Sequence, residues 1–142
     1  MALIDDATAA QLRDALAHLA SPVRLVVFSP APADPVSEEV RTLVEELAAL
    51  DPKLSAEARS FVLDAERVAE LGIERVPAIA VVGAEKDHGL RFYGVPSGYE
   101  FGSLVELILD VSNGRSGLEE KTCRALAGLE RDVRIRVFST PT

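Results

Sequence analysis

Along the first fifty positions, two segments with helical spacing of apolar residues flank one continuous apolar run. Between Thr8 and Ala20 apolar residues recur every three or four positions, which predicts an amphipathic helix that Ser21-Pro22 ends. The run from Val23 to Phe28 is almost entirely apolar and β-branched, so we expect a central strand that is covered on both faces. Helical spacing returns between Val40 and Leu50, which predicts a second helix after the strand.

The next sixty residues carry further strand and helix signals. Their predicted order is a strand, a short helix, a hairpin of two strands and a long helix. The first of these strands alternates small and polar residues, which favours a place near the edge of the sheet. The predicted bounds are Leu54 to Phe61 for that strand, Asp64 (the cap) to Gly72 for the short helix, Pro77 to Val82 and Leu90 to Val95 for the hairpin, and a capping box at Ser97 to Glu100 for a helix that Asn113-Gly114 ends.

The order of these elements indicates a fold. A β-α-β unit followed by a β-β-α unit, with a proline opening the hairpin, is the order of the thioredoxin fold. We therefore predict an α/β protein with a mixed four-stranded sheet and an extra N-terminal helix. This unit is expected to span residues 1–114.

The segment Ala15–Ser29 recurs 110 positions later as Ala125–Ser139. Nine of the fifteen aligned positions are identical, and the agreement continues from the helix into the strand, which indicates a duplication. We therefore predict that residues 115–142 form a linker helix, opened by a capping box at Ser116 to Glu119, and the first strand of a truncated second unit, Val133 to Ser139. Thr142 stands where the loop before the second unit's long helix is expected.

The overall composition narrows the classes of partner. A formal net charge of −8 and a pI near 4.8 disfavour nucleic acid and anionic membrane surfaces. No apolar run reaches the roughly 20 residues that cross a bilayer, and residues 1–20 do not resemble a signal peptide, so we expect a cytoplasmic protein. A single cysteine, Cys123, and two histidines argue against an intramolecular disulfide or a metal site, and we expect no cofactor.

The loop after the central strand is where this fold carries its reactive thiols, because the N-terminus of the next helix lowers the pKa of a thiol. Here that place holds Asp34, Pro35, Val36 and Ser37. We interpret Asp34 as the N-cap and Pro35 as the first helical residue, which leaves a carboxylate where a thiolate would be stabilised. Asp34 and Ser37 could instead form a hydrolytic pair, but no histidine or lysine base is near them in the sequence.

The chain resembles the N-terminal half of the glutaredoxin-like protein disulfide oxidoreductases. It is also similar to the N-terminal domain of the flavoprotein subunit of alkyl hydroperoxide reductase. The resemblance covers essentially all 142 residues. It is carried by Pro22 to Phe28, by the Val76-Pro77 pair and by the segment Arg91 to Phe101, in which Tyr99 stands where the family usually has a histidine.

The resemblance implies roles for several positions. Asp34 and Ser37 occupy the places of the two cysteines in the family's N-terminal Cys-x-x-Cys sites, so the exchange mechanism is absent from this unit. The stretch Phe138 to Thr142 resembles the residues that directly precede the family's C-terminal Cys-x-x-Cys. The Val76-Pro77 bond is expected to be cis, which would leave backbone groups of Val76 free to pair with an extended peptide.

The sequence therefore supports one function and one alternative. In the first, the chain is the non-catalytic N-terminal unit of a disulfide oxidoreductase and positions a redox-active second unit; whether the chain is an enzyme by itself is open. In the alternative, it is a protein-binding or dimerisation module that contacts a protein partner or a second copy through the groove at Val76-Pro77 or the strand Val133 to Val137. An enzyme that uses Cys123 alone is disfavoured, because Cys123 aligns with Arg13 inside a helix.

Overall fold

The computed structural model describes residues 2–32 and 34–140. Helices and strands alternate as far as the third strand, after which a fourth strand and two helices follow. The helices are α1 (Asp6–Leu16), α2 (Pro35–Ala48), α3 (Ala65–Leu71), α4 (Tyr99–Asn113) and α5 (Glu120–Ala127), and the strands are β1 (Val23–Ser29), β2 (Leu54–Ser60), β3 (Ala78–Gly83) and β4 (Leu90–Tyr93).

The four strands form one mixed sheet in the order β2-β1-β3-β4. β1 runs parallel to β2 and antiparallel to β3, and β4 runs antiparallel to β3. The predictions of a mixed four-stranded sheet, of a central β1 and of β2 at the edge are confirmed. The apolar run Val23 to Phe28 suits the central place because helices cover both faces of the sheet there, which removes its side chains from solvent.

The side chains of β1 divide the core, because successive residues of a strand point to opposite faces of the sheet. Leu25 and Val27 pack on one face with α1, α2 and α4, whereas Val26 and Phe28 pack on the opposite face with α3. The helical residues that pack on the first face include Leu12, Leu16, Val40, Val44, Leu47, Leu104 and Ile108. The sheet therefore lies between three helices and one.

A pair of serines ties the turn before β1 to the last turn of α4. The Ser21 N–H donates to Ser112 Oγ at 3.0 Å, the Ser21 hydroxyl donates to the Ser112 carbonyl at 2.6 Å, and the Ser112 hydroxyl donates to the Ser21 carbonyl at 2.6 Å. We call these three hydrogen bonds the serine clasp. Ser112 is buried, so the clasp satisfies polar groups that water does not reach.

Three predicted helix caps are wrong in detail. α4 is preceded by Gly98, whose φ of 57° brings the helix in one residue later than predicted, and the Ser97 side chain does not cap it. Asp64 occupies the cap position of α3, but its Oδ2 accepts from the Ser60 N–H at 2.7 Å and leaves the helix uncapped. Ser116 likewise does not cap α5, which begins after Glu119.

The second copy of the repeat is not packed like the first. None of the side chains of α5 is buried, and residues 132–140 belong to no helix or strand. The predicted strand Val133 to Ser139 is therefore not formed among the described residues. The physical reason is that a strand exists only through hydrogen bonds to a neighbour, and no described strand lies beside it. The prediction for Thr142 falls outside the described residues.

The length and apolar content of the helices decide whether any of them could span a membrane. In the described part of the chain, no helix combines the length and the apolar content that crossing a bilayer requires.

Candidate functional site

Four loops and the first turns of three helices meet at one end of the sheet. β1 and β2 end there, β3 begins there and β4 returns there, as the register between the strands shows. We call this end the loop edge; it consists of residues 30–32, 34–39, 61–66, 73–77 and 94–100. Both sets of predicted site residues, 34–37 and 76–77, lie on it.

Asp34 caps α2 as the sequence predicts. One carboxylate oxygen, Oδ1, accepts from the N–H groups of Val36 and Ser37 at 2.9 and 3.0 Å, and the other, Oδ2, accepts from the Ser37 hydroxyl at 2.9 Å. The donation from the Ser37 N–H is the main cause of a pKa of Asp34 below its ordinary value of 3.8. The carboxylate is therefore ionised and fully engaged in capping at neutral pH.

Ser37 does not have the geometry of a nucleophile. Its side chain is completely buried under the first turn of α2, and its hydroxyl proton is donated to Asp34. A hydroxyl that is shielded from solvent and bonded to a carboxylate of lowered pKa cannot meet a substrate carbonyl. The hydrolytic interpretation of Asp34 and Ser37 thus has no support from the geometry, and helix capping explains both residues.

Val76 and Pro77 stand at the start of β3, beside the α2 cap. The Val76-Pro77 peptide bond is cis, as is the Ala31-Pro32 bond in the neighbouring loop. The Pro77 carbonyl accepts from the Gly94 N–H at 3.0 Å, which continues the pairing of β3 with β4. The half-buried Val76 forms no backbone hydrogen bond with the residues that the structure describes, so its N–H and C=O are available to a ligand.

Several exposed apolar side chains lie at the same end of the sheet as these two features. Val36 lies on the first turn of α2, Val62 and Leu63 follow β2, and Tyr99 begins α4. The sequence identified Val36 as one of the four positions where the family has its Cys-x-x-Cys, but it did not identify Val62 and Leu63 as surface residues. Their signal is two adjacent large apolar residues just after the end of an edge strand, where a solvated loop would carry polar ones.

Redox and metal chemistry have few residues to use. Cys123 lies on α5 with an exposed side chain, outside the loop edge, and its Sγ is 3.9 Å from Ser116 Oγ. Across residues 2–32 and 34–140, histidine, cysteine and carboxylate side chains form no group of three that could hold a metal ion.

The sequence of this chain is similar to parts of longer proteins that carry two different names. No protein-family model matches the chain. It is 31% identical over 97 residues to an NADH dehydrogenase of Ferdinandcohnia aciditolerans and 32% identical over 90 residues to the F subunit of alkyl hydroperoxide reductase of Staphylococcus aureus. These matches cover 68% and 63% of this chain but only 16% and 15% of the relatives, so the chain spans about one sixth of their length.

Solved structures agree with the sequence relatives. The F subunit of alkyl hydroperoxide reductase of Enterococcus faecalis superposes with a TM-score of 0.78 at 28% identity, covering 88% of this chain and 60% of that one. A protein disulfide oxidoreductase from Aeropyrum pernix superposes with a TM-score of 0.78 at 29% identity, covering 91% of this chain and 56% of that one. The predicted thioredoxin-like fold and the resemblance to both groups are confirmed.

Proposed function

We propose that this chain, a thioredoxin-fold module similar to the N-terminal part of the F subunit of alkyl hydroperoxide reductase and to a protein disulfide oxidoreductase, is the non-catalytic N-terminal unit of a disulfide oxidoreductase. Its role is to carry and position a second, redox-active unit. The observation that carries the proposal is the Asp34–Ser37 cap, which stands where the reactive thiols of this fold would lie.

Thiol–disulfide exchange requires a thiolate that attacks a disulfide sulfur and a second thiol that resolves the mixed disulfide. Asp34 offers a carboxylate whose two oxygens together accept from three donors, and Ser37 offers a buried hydroxyl. Neither can be oxidised to a disulfide or leave as a thiolate. The remaining sulfur, in Cys123, has no second cysteine to pair with in the chain.

The second copy of the repeat supports the association with another unit. α5 and the residues after it expose a run of large apolar side chains that a folded domain would normally bury. A second thioredoxin-fold unit would cover them by building its own sheet around residues 133–139. The exposed residues are Leu118, Leu126, Leu129, Val133, Ile135, Val137 and Phe138.

Insulin reduction by dithiothreitol tests the absence of exchange chemistry. We expect the purified 142-residue chain to leave the rate of insulin precipitation at the value measured without protein, because no dithiol is present. Cys123→Ser should give the same rate. A protein-dependent rate that disappears in Cys123→Ser would contradict the proposal and would assign the activity to that cysteine.

Reinstating the thiols provides the matched positive control. Asp34→Cys combined with Ser37→Cys should form a disulfide on oxidation and accelerate insulin reduction, because the N-terminus of α2 stabilises a thiolate. Asp34→Cys alone should not sustain turnover, since no resolving thiol is present.

The natural reading frame is also expected to continue past residue 142 into a Cys-x-x-Cys, and a stop codon at that point would contradict the two-unit proposal.

A second candidate function is the binding of an extended polypeptide at the loop edge by a stand-alone module. It is favoured by one observation, the unbonded main-chain groups of Val76 beside exposed apolar side chains. We place either form of the protein in the cytoplasm, in keeping with the sequence. Binding at the loop edge is compatible with the first function, because a unit without a dithiol can still bind a polypeptide; the two functions differ in whether a second unit is attached.

A further inference from the structure

Large exposed apolar side chains are confined to three places in the described part of the molecule. One is Leu3 near the N-terminus, one is the segment 118–138, and the third is the loop edge with Val36, Val62, Leu63 and Tyr99. The outer faces of α1, α3 and β4 carry none of them. Four such side chains from three separate segments at one edge of the sheet indicate a surface that another chain covers.

The loop edge is also strongly acidic. Residues 30–32, 34–39, 61–66, 73–77 and 94–100 contain seven carboxylates and one guanidinium, which belongs to Arg75 and stacks 4.7 Å from the Tyr93 ring centre. Asp34 caps α2, Glu38 pairs with Arg41 and Asp64 pairs with Arg59. The other four, Glu39, Glu66, Glu74 and Glu100, are exposed and form no ion pair with a described residue.

The opposite end of the sheet shows that this charge is local. Residues 20–22, 49–53, 83–89 and 112–116 form that end, and they contain three carboxylates and three basic side chains. Asp87 is bound there by Arg91, whose guanidinium lowers the pKa of the carboxyl. The negative potential is thus concentrated where the apolar side chains and the unbonded main chain lie.

A cavity of about 290 Å³ adds a pocket beside the loop edge. It lies between the segment that leads into α1, the side of α2 that carries Leu43, and the loop before α4, and Leu43, Val95 and Phe101 line it with apolar surface. Asp5 also lies in the lining, where its carboxylate caps α1. Glu39 lies in the same lining and provides a carboxylate among these side chains. Such a pocket suits a side chain with an apolar stem and a basic end, because the stem is buried while the cation pairs with Glu39.

We propose that the loop edge binds an extended segment of a separate protein partner, in which apolar side chains alternate with basic ones. The inference rests on the second candidate function above and adds the chemistry of the ligand. The main chain of Val76 pairs with the segment, Val62, Leu63 and Tyr99 contact its apolar side chains, and Glu39 and Glu74 attract its basic ones. The chain itself contains a segment of this type, Val-Arg-Ile-Arg-Val-Phe at residues 133–138.

Two synthetic hexapeptides test this proposal, each labelled with a fluorophore and titrated with the full 142-residue chain. One has the sequence of residues 133–138, and the other replaces its two arginines with glutamates. We expect the arginine peptide to bind at least about tenfold more tightly at low salt, and the difference to shrink as added salt screens the exposed charges.

Variants of the protein locate the site. Glu39→Gln combined with Glu74→Gln should weaken binding of the arginine peptide by about fivefold, because each exposed pair contributes modestly. Glu85→Gln, which removes an exposed carboxylate from the opposite end of the sheet, is the matched control and should leave binding unchanged. Leu63→Ser should weaken both peptides, and circular dichroism verifies that each variant is folded.

The outcomes separate this inference from the functions on which it rests. Equal affinity for both peptides would overturn the charge selectivity and leave main-chain binding in place. No binding of either peptide would overturn the inference and the binding module together, whereas the insulin assay would still decide the non-catalytic unit. Sedimentation can be used to detect a dimer. A dimer that dissociates when the free arginine peptide is added would identify a second copy as the occupant and would overturn the proposal of a separate partner.

Discussion

Two segments of this molecule share most of their sequence and have opposite surroundings. Ala15–Ser29 forms the end of the first helix and the central strand, where Leu16 and Phe28 are completely buried. In Ala125–Ser139 the aligned Leu126 and Phe138 are 49% and 90% exposed. The comparison teaches that an apolar run is necessary for a core strand but that partner elements decide whether it becomes one.

The partners of the first copy can be named. β1 lies between β2 and β3, three helices cover one of its faces and α3 covers the other. The second copy has none of these among the described residues. It also differs at one position that matters for packing, because Arg136 stands where Val26 is buried against α3. A face that carries Arg134 and Arg136 is suited to solvent or to carboxylates, not to a purely apolar layer.

The largest expected difference lies between the aligned phenylalanines. Phe28→Ala should lower the free energy of unfolding by about 3–5 kcal/mol, because it leaves a cavity in the core. Phe138→Ala should change it by less than about 0.5 kcal/mol, because the ring is exposed. Urea denaturation of both variants measures the two values. Similar losses for the two substitutions would mean that the second copy is packed after all and would break the comparison.

A smaller effect is expected at the serine clasp, which the second copy cannot form because Arg131 aligns with Ser21. Ser112→Ala removes the acceptor of the Ser21 N–H and the donor to the Ser21 carbonyl at a buried position. We expect a loss of about 1–3 kcal/mol in urea denaturation. Ser103→Ala is the control, since its hydroxyl makes one exposed 3.3 Å bond within α4. Equal values for both serines would show that the clasp adds nothing.

The smallest expected effect on stability concerns the N-termini of α2 and α5, and it appears only at acidic pH. The folded state lowers the pKa of Asp34, so its capping stabilises the protein above the ordinary value of 3.8 and is lost as the pH falls through the folded-state pKa. Asp34→Asn should therefore show a shallower fall in thermal midpoint between about pH 5 and pH 2 than the unmodified chain.

Glu119→Gln is the matched substitution at the start of α5, where the side chain makes no capping hydrogen bond. It should leave the acid limb of the profile as steep as in the unmodified chain. If the thermal midpoint of Asp34→Asn falls with pH in parallel with that of the unmodified chain, capping by Asp34 does not explain the loss of stability in acid. In that case another carboxylate would control the acid transition.

Much of the fold could be predicted from the sequence, because its local signals agree with the tertiary arrangement. The apolar run of β1 requires cover on both faces, which the helices on the two sides of the sheet provide, and the small residues of β2 match its place at the edge. The cap at Asp34 followed from one residue pair, since Pro35 has a fixed φ and no N–H to satisfy. The loss of the dithiol could be predicted in the same way, because Asp34 and Ser37 are simply not cysteines.

The remaining features depend on tertiary geometry. Gly98 adopts a positive φ of 57° with a ψ of −127°, which moves the start of α4 past Ser97, and Asp64 turns back to the Ser60 N–H because β2 and α3 are joined by a tight turn. The grouping of Val62 with Tyr99 at one edge joins residues from different loops, which periodicity along the chain does not reveal. The absence of a second-copy strand among the described residues reflects missing partners rather than a poor strand sequence.

The serine clasp also fixes where any attached domain would be tethered. Because Ser112 is bonded to Ser21 just before β1, the chain leaves α4 at the end of the sheet opposite the loop edge. The seven residues of β1 separate the two ends by about 23 Å. A unit joined after Gly114 would therefore be tethered at the far end of the sheet, about that distance from the loop edge.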